Sequence, residues 1–208
     1  MLDRVALRLL RPGFERAARA LHGAGMHADA VTLAGFAIGV GAAVAIGLGS
    51  PLAGLVLLLA SRVCDGLDGP VARLSAPTDR GAFLDITLDF LFYAGIPLAF
   101  AVADPAANAL AAAVLLAAFI GTATSFLAFA ALAAQRGLHS VSYPDKGIYY
   151  LGGLTEATET LACFVLMCLW PAHFARIAWV FAALCAVTTA TRLWAGWRLL
   201  SPAEGGHA

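Results

Sequence analysis

The chain has 208 residues, 61% of them hydrophobic and 12% charged, and its 13 basic and 13 acidic side chains cancel. Soluble domains run nearer half apolar and a quarter charged, so an ordinary soluble fold is excluded. Zero net charge offers nucleic acid no bulk attraction, and the length suits one domain holding several membrane helices of about 20 apolar residues each.

Residues 2–21 read as an amphipathic helix. Leu2, Val5, Leu9 and Leu10 share one side, and Arg4, Arg8 and Arg11 fall largely on the other. Pro12 is expected to interrupt it, with Arg16 and Arg19 continuing the basic character. A basic amphipathic helix beside a span lies in the headgroup layer; a solvated helix end is the plainer alternative. Arg recurs every three to five positions, which leaves no apolar h-region and no secretory signal peptide.

Six spans are predicted next, at roughly 30–48, 52–74, 80–102, 106–134, 147–169 and 174–199. Gly49-Ser50-Pro51 turns the chain between the first two. Pro97 is expected to kink the third, and the many Gly and Ala residues favour close helix packing. Cys64, Cys163, Cys168 and Cys185 form no CxxC pair and read as small buried hydrophobes. The fold expected is an all-α integral membrane protein. One domain covers 1–208, with an interfacial helix in 1–22, a six-helix bundle over 30–199 and a disordered tail, 200–208.

Basic residues orient the bundle. Arg4, Arg8, Arg11, Arg16, Arg19, Arg73, Arg80, Arg136, Lys146 and Arg198 fall on one side, and Arg176 with His173 on the other. The positive-inside rule makes the first side cytoplasmic, with both termini and the loop between spans two and three. Trp170 and Trp179 are expected near the outer interface, Trp194 and Trp197 near the inner one, as anchors.

The stretch DGLDGPVARLSAPTDRGAFLDITLD, residues 65–89, sets four carboxylates in apolar sequence. Asp65 and Asp68 are three apart near the end of span two; Asp85 and Asp89 are four apart near the start of span three. Each pair shares a helix face. With a short connection the two spans are expected to be antiparallel neighbours, so the pairs converge. Asp65 lies eight residues before Arg73, roughly 12 Å below the loop at 1.5 Å per residue. An ionised Asp in mid-bilayer costs at least about 2.5–3.5 kcal/mol, and four together repel. An all-oxygen set suits Mg²⁺ or Mn²⁺. Two divalent cations would balance four carboxylates and suit transfer of a phosphate group. Gly69 and Gly81 leave room for a ligand, Ala72 is small, and Arg73 offers a planar fork for phosphate oxygens. Two alternatives stay open: the ion pathway of a proton- or metal-coupled transporter, and structural pairing of the acids with Arg62 and Arg73.

The pattern Asp65-x2-Asp68-Gly69-x2-Ala72-Arg73-x7-Gly81-x3-Asp85-x3-Asp89 resembles the motif of the CDP-alcohol phosphotransferases, also called CDP-alcohol phosphatidyltransferases, at all eight fixed positions. The resemblance extends to six spans and an N-terminal interfacial helix, although its specific part is 65–89. It implies a CDP-linked donor, commonly CDP-diacylglycerol, whose diphosphate sits on two divalent cations. The hydroxyl of a small polar alcohol attacks phosphorus and CMP leaves, a step of phospholipid biosynthesis. By position, Asp65, Asp68, Asp85 and Asp89 are metal ligands and Asp89 is also the general base. Asp65, Gly69, Ala72, Arg73 and Gly81 line the CDP site. The resemblance further implies a homodimer in a bilayer, here a bacterial inner membrane, with the site facing the cytoplasm.

Many members read Pro-Asn-x-x-Thr before span one. Here Ala28 and Asp29 replace Pro-Asn, while Thr32 remains. Asp29 either caps the first span or, with Thr32, contacts the nucleotide. Arg62, one turn deeper than Asp65, needs a partner. Glu156 and Glu159 lie about 9–12 residues into span five as drawn and supply one reading, a buried Arg62–Glu link that orients the aspartates. In the other reading Glu156 or Glu159 lines the acceptor pocket. Arg136, Lys146 and Arg192 could bind an acceptor phosphate, or be ordinary positive-inside anchors. Tyr143, Tyr149, Tyr150 and His139 read as interface or loop residues. A membrane aromatic prenyltransferase, which also holds diphosphate through Mg²⁺ and Asp pairs, is a more distant possibility.

Overall fold

The computed structural model describes residues 2–137 and 153–201. All regular structure among them is helical: α1 (Leu2–Gly23), α2 (Ala28–Gly47), α3 (Pro51–Ser75), α4 (Asp79–Ala103), α5 (Pro105–Gln135), α6 (Ala157–Leu169) and α7 (Phe174–Leu200), with a 3₁₀ turn at Pro171–His173 before α7. Helix is the form that satisfies every backbone N–H and C=O without water.

The boundaries follow local chemistry. Gly25 and Gly49 both take φ +79° just past a helix end. The amide of Met26 then reaches Leu21 O, and that of Ser50 reaches Ala45 O; both are glycine C-caps that a residue with Cβ adopts only under strain. Pro51 opens α3 and Pro105 opens α5, where a missing N–H costs nothing. Thr78 accepts from Gly81 N at 3.0 Å to start α4, and Asp104 accepts from Ala107 N at 3.1 Å to start α5. Proline does not break these helices. Pro12 lies inside an unbroken α1, against the expected interruption, and α3 and α4 run through Pro70 and Pro97.

Four helices among the described residues are long and apolar enough to cross a bilayer: α2, α4, α5 and the stretch from Pro171 through α7. The 25-residue α3 carries Arg62 at its middle and Asp65, Asp68 and Arg73 in its second half. The fifth predicted span is shorter than expected. Residues 147–152 lie outside the described residues, and 153–156 are not helical. There the backbone is turned away from helix: Thr155 N donates to Thr188 Oγ1 of α7, and a Glu156/Glu159 capping box begins α6 at Ala157. The expectation of a disordered 202–208 also falls outside the described residues, as do His139, Tyr143, Lys146, Tyr149 and Tyr150.

α2 packs along α3 and α4; α4 continues to α5, α5 packs on α7, and α6 sits between α3 and α7. The interior is aromatic. Phe100 stacks on Phe174 at 4.6 Å between centroids, and Phe164 meets Phe92, Tyr93 and Phe119 at 6.1–6.4 Å. The outside is just as apolar: Leu48, Leu110, Ile120 and Trp197 are 65–81% exposed. A surface so apolar fits lipid as its solvent. Trp170, Trp179 and Trp194 are likewise exposed. Cys168 and Cys185 are buried, and Cys64 and Cys163 half-buried.

α1 lies against α3. Its anchor is Phe14, whose ring stands 2.9 Å from where a Cβ on Gly66 would be. Ala18 is buried beside it in sequence, while Arg11 is exposed and donates to Glu15 at 2.8 Å. That bond holds the half-buried Glu15 carboxyl below its usual value.

Candidate active site

The site begins with two glycines of α2. A Cβ on Gly35 would stand 2.8 Å from Cys64 Cβ of α3, and one on Gly39 would stand 2.6 Å from the Phe92 ring of α4 and 2.9 Å from Ser61 Oγ. Only hydrogen fits at either position, so α2 draws both flanking helices onto itself. Ser61 Oγ also donates to Gly35 O at 2.8 Å. This corrects one expectation. α3 and α4 are not packed side by side; each lies along α2, and their backbones make little contact with each other. The small residues on α2 make it the common floor, and the acidic faces of α3 and α4 look across the gap above it.

Side chains close that gap. One carboxylate oxygen each from Asp65, Asp68 and Asp85 lies within 4.8 Å of the other two. Asp89 lines the same pocket as Asp65 and Asp85, together with Thr32, Gly35 and Arg62. Asp68 is 6% exposed, and both of its oxygens are held. Thr32 Oγ1 donates to Oδ2 at 2.8 Å, and Gly69 N donates to Oδ1 at 2.6 Å. Thr32 thus grips a carboxylate of the cluster, a role its spacing did not reveal.

Arg62 lies at the centre. Its Nη1 donates to Asp89 Oδ1 at 2.5 Å and stands 3.4 Å from Asp65 Oδ1. Its guanidinium carbon sits 3.7 Å from the Phe92 ring centroid and 5.7 Å from that of Tyr93. The expected Arg62–Glu link is therefore replaced. The aspartates, one turn away on α3 and across the gap on α4, are nearer and face it. Glu156 and Glu159 instead cap α6: the Glu156 side chain accepts from the Glu159 backbone N–H, and Glu159 Oε2 accepts from Glu156 N at 3.1 Å. Glu156 Oε1 also accepts from Gly153 N at 3.3 Å. The TEATE run carries the Glu-x-x-Glu spacing of such a cap, which was the signal available in sequence.

The other candidates fall as follows. Gly69 is open, with only Arg73 Nη1 3.6 Å from a would-be Cβ. Arg73 is exposed and Ala72 half-buried on the same turn. Gly81 is small for a different reason: a Cβ would stand 3.1 Å from Asp29 Oδ1 and 3.2 Å from Thr78 Oγ1. Asp29 is not the cap of α2. His27 occupies that position, and Asp29 in the first turn accepts from Arg80 Nη2 at 2.5 Å and from Arg80 Nε at 3.0 Å. Arg136 donates to Leu200 O at 2.8 Å, tying the end of α5 to the end of α7. Arg192 is buried, with Nη1 donating to Thr122 O at 3.1 Å.

Three converging carboxylates with an all-oxygen donor set could hold a hard divalent cation, and Asp89 lines the same pocket with one oxygen paired to Arg62. The family model for CDP-alcohol phosphatidyltransferase matches residues 26–194. The chain belongs to the CDP-alcohol phosphatidyltransferase family. It is 54% identical over 200 residues to inner membrane protein YnjF of Escherichia coli K12, covering 96% of this chain and 97% of that one. It is 48% identical over 65 residues to the archaetidylinositol phosphate synthase of Methanothermobacter thermautotrophicus, 31% of this chain and 33% of that one. In fold it is similar to the Mycobacterium tuberculosis phosphatidylinositol phosphate synthase PgsA1 with CDP-DAG bound. The TM-score is 0.72 at 23% identity, over 94% of this chain and 98% of that one. The same synthase in complex with manganese and citrate matches with a TM-score of 0.71 at 23% identity, over 94% and 93%.

Proposed function

We propose that this member of the family transfers a phosphatidyl group from CDP-diacylglycerol to the hydroxyl of a small polar alcohol and releases CMP. One observation carries the reading: carboxylates of α3 and α4 meet across the gap above α2, with Asp65, Asp68 and Asp85 within 4.8 Å of one another. These three, with Asp89, would hold two divalent cations, Mg²⁺ or Mn²⁺. When bound, such cations neutralise phosphate oxygens and stabilise the oxygen that leaves with CMP. The chain's own groups do the rest. Thr32 and the Gly69 amide hold Asp68 by both oxygens. Exposed Arg73, beside open Gly69, offers two parallel N–H donors to the diphosphate. Ala72, Gly81, Asp29 and Thr32 complete the CDP site. Asp89 takes the proton of the attacking hydroxyl. Because Oδ1 is committed to Arg62, Oδ2 is the accepting atom. The new P–O bond forms to the acceptor oxygen as the bond to CMP breaks.

The reading places the chain in a bacterial inner membrane as one domain over 1–208. It has six crossings, α3 and α6 joining the four apolar helices, with α1 in the headgroup layer and both termini and the site on the cytoplasmic side. It also holds that the protein is a homodimer. Arg62, Arg136, Lys146, Glu156 and Glu159 remain the candidates for the acceptor side, with Arg192 a buried cation near Gly153. The names of the two inositol-phosphate-linked synthases make inositol phosphate the first acceptor to try.

The test is CMP release by purified protein given CDP-diacylglycerol and Mg²⁺ or Mn²⁺. Inositol phosphate, inositol, glycerol 3-phosphate, serine, choline and phosphatidylglycerol are supplied in turn. At least one should support turnover, and Asp89→Asn should abolish it while preserving the fold. Cation uptake by proteoliposomes without CMP release would instead favour a transporter.

A further inference from the structure

We propose that Arg62 is a positioning residue for the reaction: a rigid guanidinium wedge that fixes the general base Asp89 and the ligand Asp65 relative to each other across the gap between α3 and α4. It goes beyond the eight-position motif, which begins at Asp65, and its activity arm rests on the phosphatidyltransferase reading.

The geometry has three parts. Arg62 joins the two acidic faces: Nη1 is 2.5 Å from Asp89 Oδ1 on α4 and 3.4 Å from Asp65 Oδ1 on α3. The backbones of α3 and α4 make little contact; α2 sets their separation, and the Arg62 side chain joins these two carboxylates directly across it. Arg62 is itself held tightly. Its side chain is 11% exposed, its Nη2 lies 3.4 Å from the fully buried Ser61 Oγ, and the Phe92 ring faces its guanidinium carbon at 3.7 Å. Its buried Nε makes no hydrogen bond among the described residues, so the aromatic face and the carboxylates supply its surroundings. Phe92 is 3% exposed and is pinned by Gly39 behind it. Finally, the contact selects an atom. With Asp89 Oδ1 occupied, the carboxylate cannot rotate freely, and Oδ2 is the atom presented for proton transfer.

A merely structural counter-charge and a positioning wedge predict different things. Lysine keeps the charge but offers a point contact, not a flat fork that stacks on Phe92 while bridging two acids. A fixed cation beside the carboxylates also repels a divalent ion, so its removal should tighten metal binding while turnover falls. Loss of fold would weaken both.

The experiment compares wild type, Arg62→Met and Arg62→Lys in two assays. The first is kcat and KM for CDP-diacylglycerol from CMP release. The second is binding of Mn²⁺ alone, by electron paramagnetic resonance. Arg62→Met should lower kcat about 100-fold, as expected for a misplaced reacting group, with KM for CDP-diacylglycerol within about threefold because Arg73 and Gly69, the diphosphate side of the site, are unchanged. Its Mn²⁺ half-saturation should fall about tenfold as the like charge is removed. Arg62→Lys should recover kcat to within about tenfold of wild type without matching it. The proposal is overturned if Arg62→Met keeps wild-type kcat, if its Mn²⁺ affinity is unchanged or weaker, or if Arg62→Lys equals wild type. If wild-type protein releases no CMP with any acceptor, the phosphatidyltransferase reading fails instead. The Mn²⁺ comparison then still decides whether Arg62 stands in the field of the carboxylates.

Discussion

Thr32→Val removes one hydrogen bond from the candidate metal site and little else. Thr32 and Asp68 are 9% and 6% exposed, and the bond between them is 2.8 Å long. The hydroxyl also lies 3.1 Å from Ala28 O. It has one proton to give, and the shorter contact to the carboxylate takes it. Valine keeps the shape and loses the donor. A hydrogen bond to a charged group contributes about 1.5–3 kcal/mol, and each 1.4 kcal/mol or so is about tenfold in a binding constant. Gly69 N still holds Asp68 Oδ1 at 2.6 Å, so the lower end applies. Mn²⁺ half-saturation should therefore rise about tenfold, within the range for lost outer-shell partners. Thr32→Ser retains the donor and should stay within about threefold of wild type. The assay is a Mn²⁺ titration followed by electron paramagnetic resonance, with helix content checked by circular dichroism. Wild-type affinity in folded Thr32→Val would refute the view that Thr32 sets the Asp68 carboxylate.

Two further outcomes probe the scaffold. Gly39→Ala puts a Cβ against Phe92 and Ser61 at 2.6 and 2.9 Å. It should destabilise the protein by about 1–3 kcal/mol in an unfolding titration in detergent, and an unchanged midpoint would contradict the close approach of α2. Arg80→Ala breaks the Asp29 pair, but the Arg80 side chain is 80% exposed. Thermal stability should change by less than about 1 kcal/mol, and a larger loss would mean the clip carries structure.

Helix ends were legible because they are local. The predicted limits of α2 to α5 and of α7 fall within two residues of those observed, since Gly49-Ser50-Pro51, Thr78 and Asp104-Pro105 are caps and starts whose chemistry is complete within a few residues. The aspartate cluster was legible for the same reason: spacings of three and four put each pair on one face. What depended on tertiary placement was not. No spacing says that α3 and α4 each pack along α2; that follows from Gly35 and Gly39 meeting Cys64 and Phe92. Arg62 had acidic candidates on α3, α4 and α6, and only the fold decides among them. Phe92 lies three residues after Asp89 on its own face, yet an aromatic at that spacing is more often core than a platform for a cation. Glu156 and Glu159 read as span residues because an apolar run begins just after them at Leu161, whereas the fold starts α6 only at Ala157.

Anomalous scattering from Mn²⁺-soaked crystals of the protein is the most direct measurement of the central claim. The account predicts a metal peak framed by Asp65, Asp68 and Asp85, with a second beside Asp89. Peaks confined to acids elsewhere on the chain, with the gap between α3 and α4 free of metal, would contradict it.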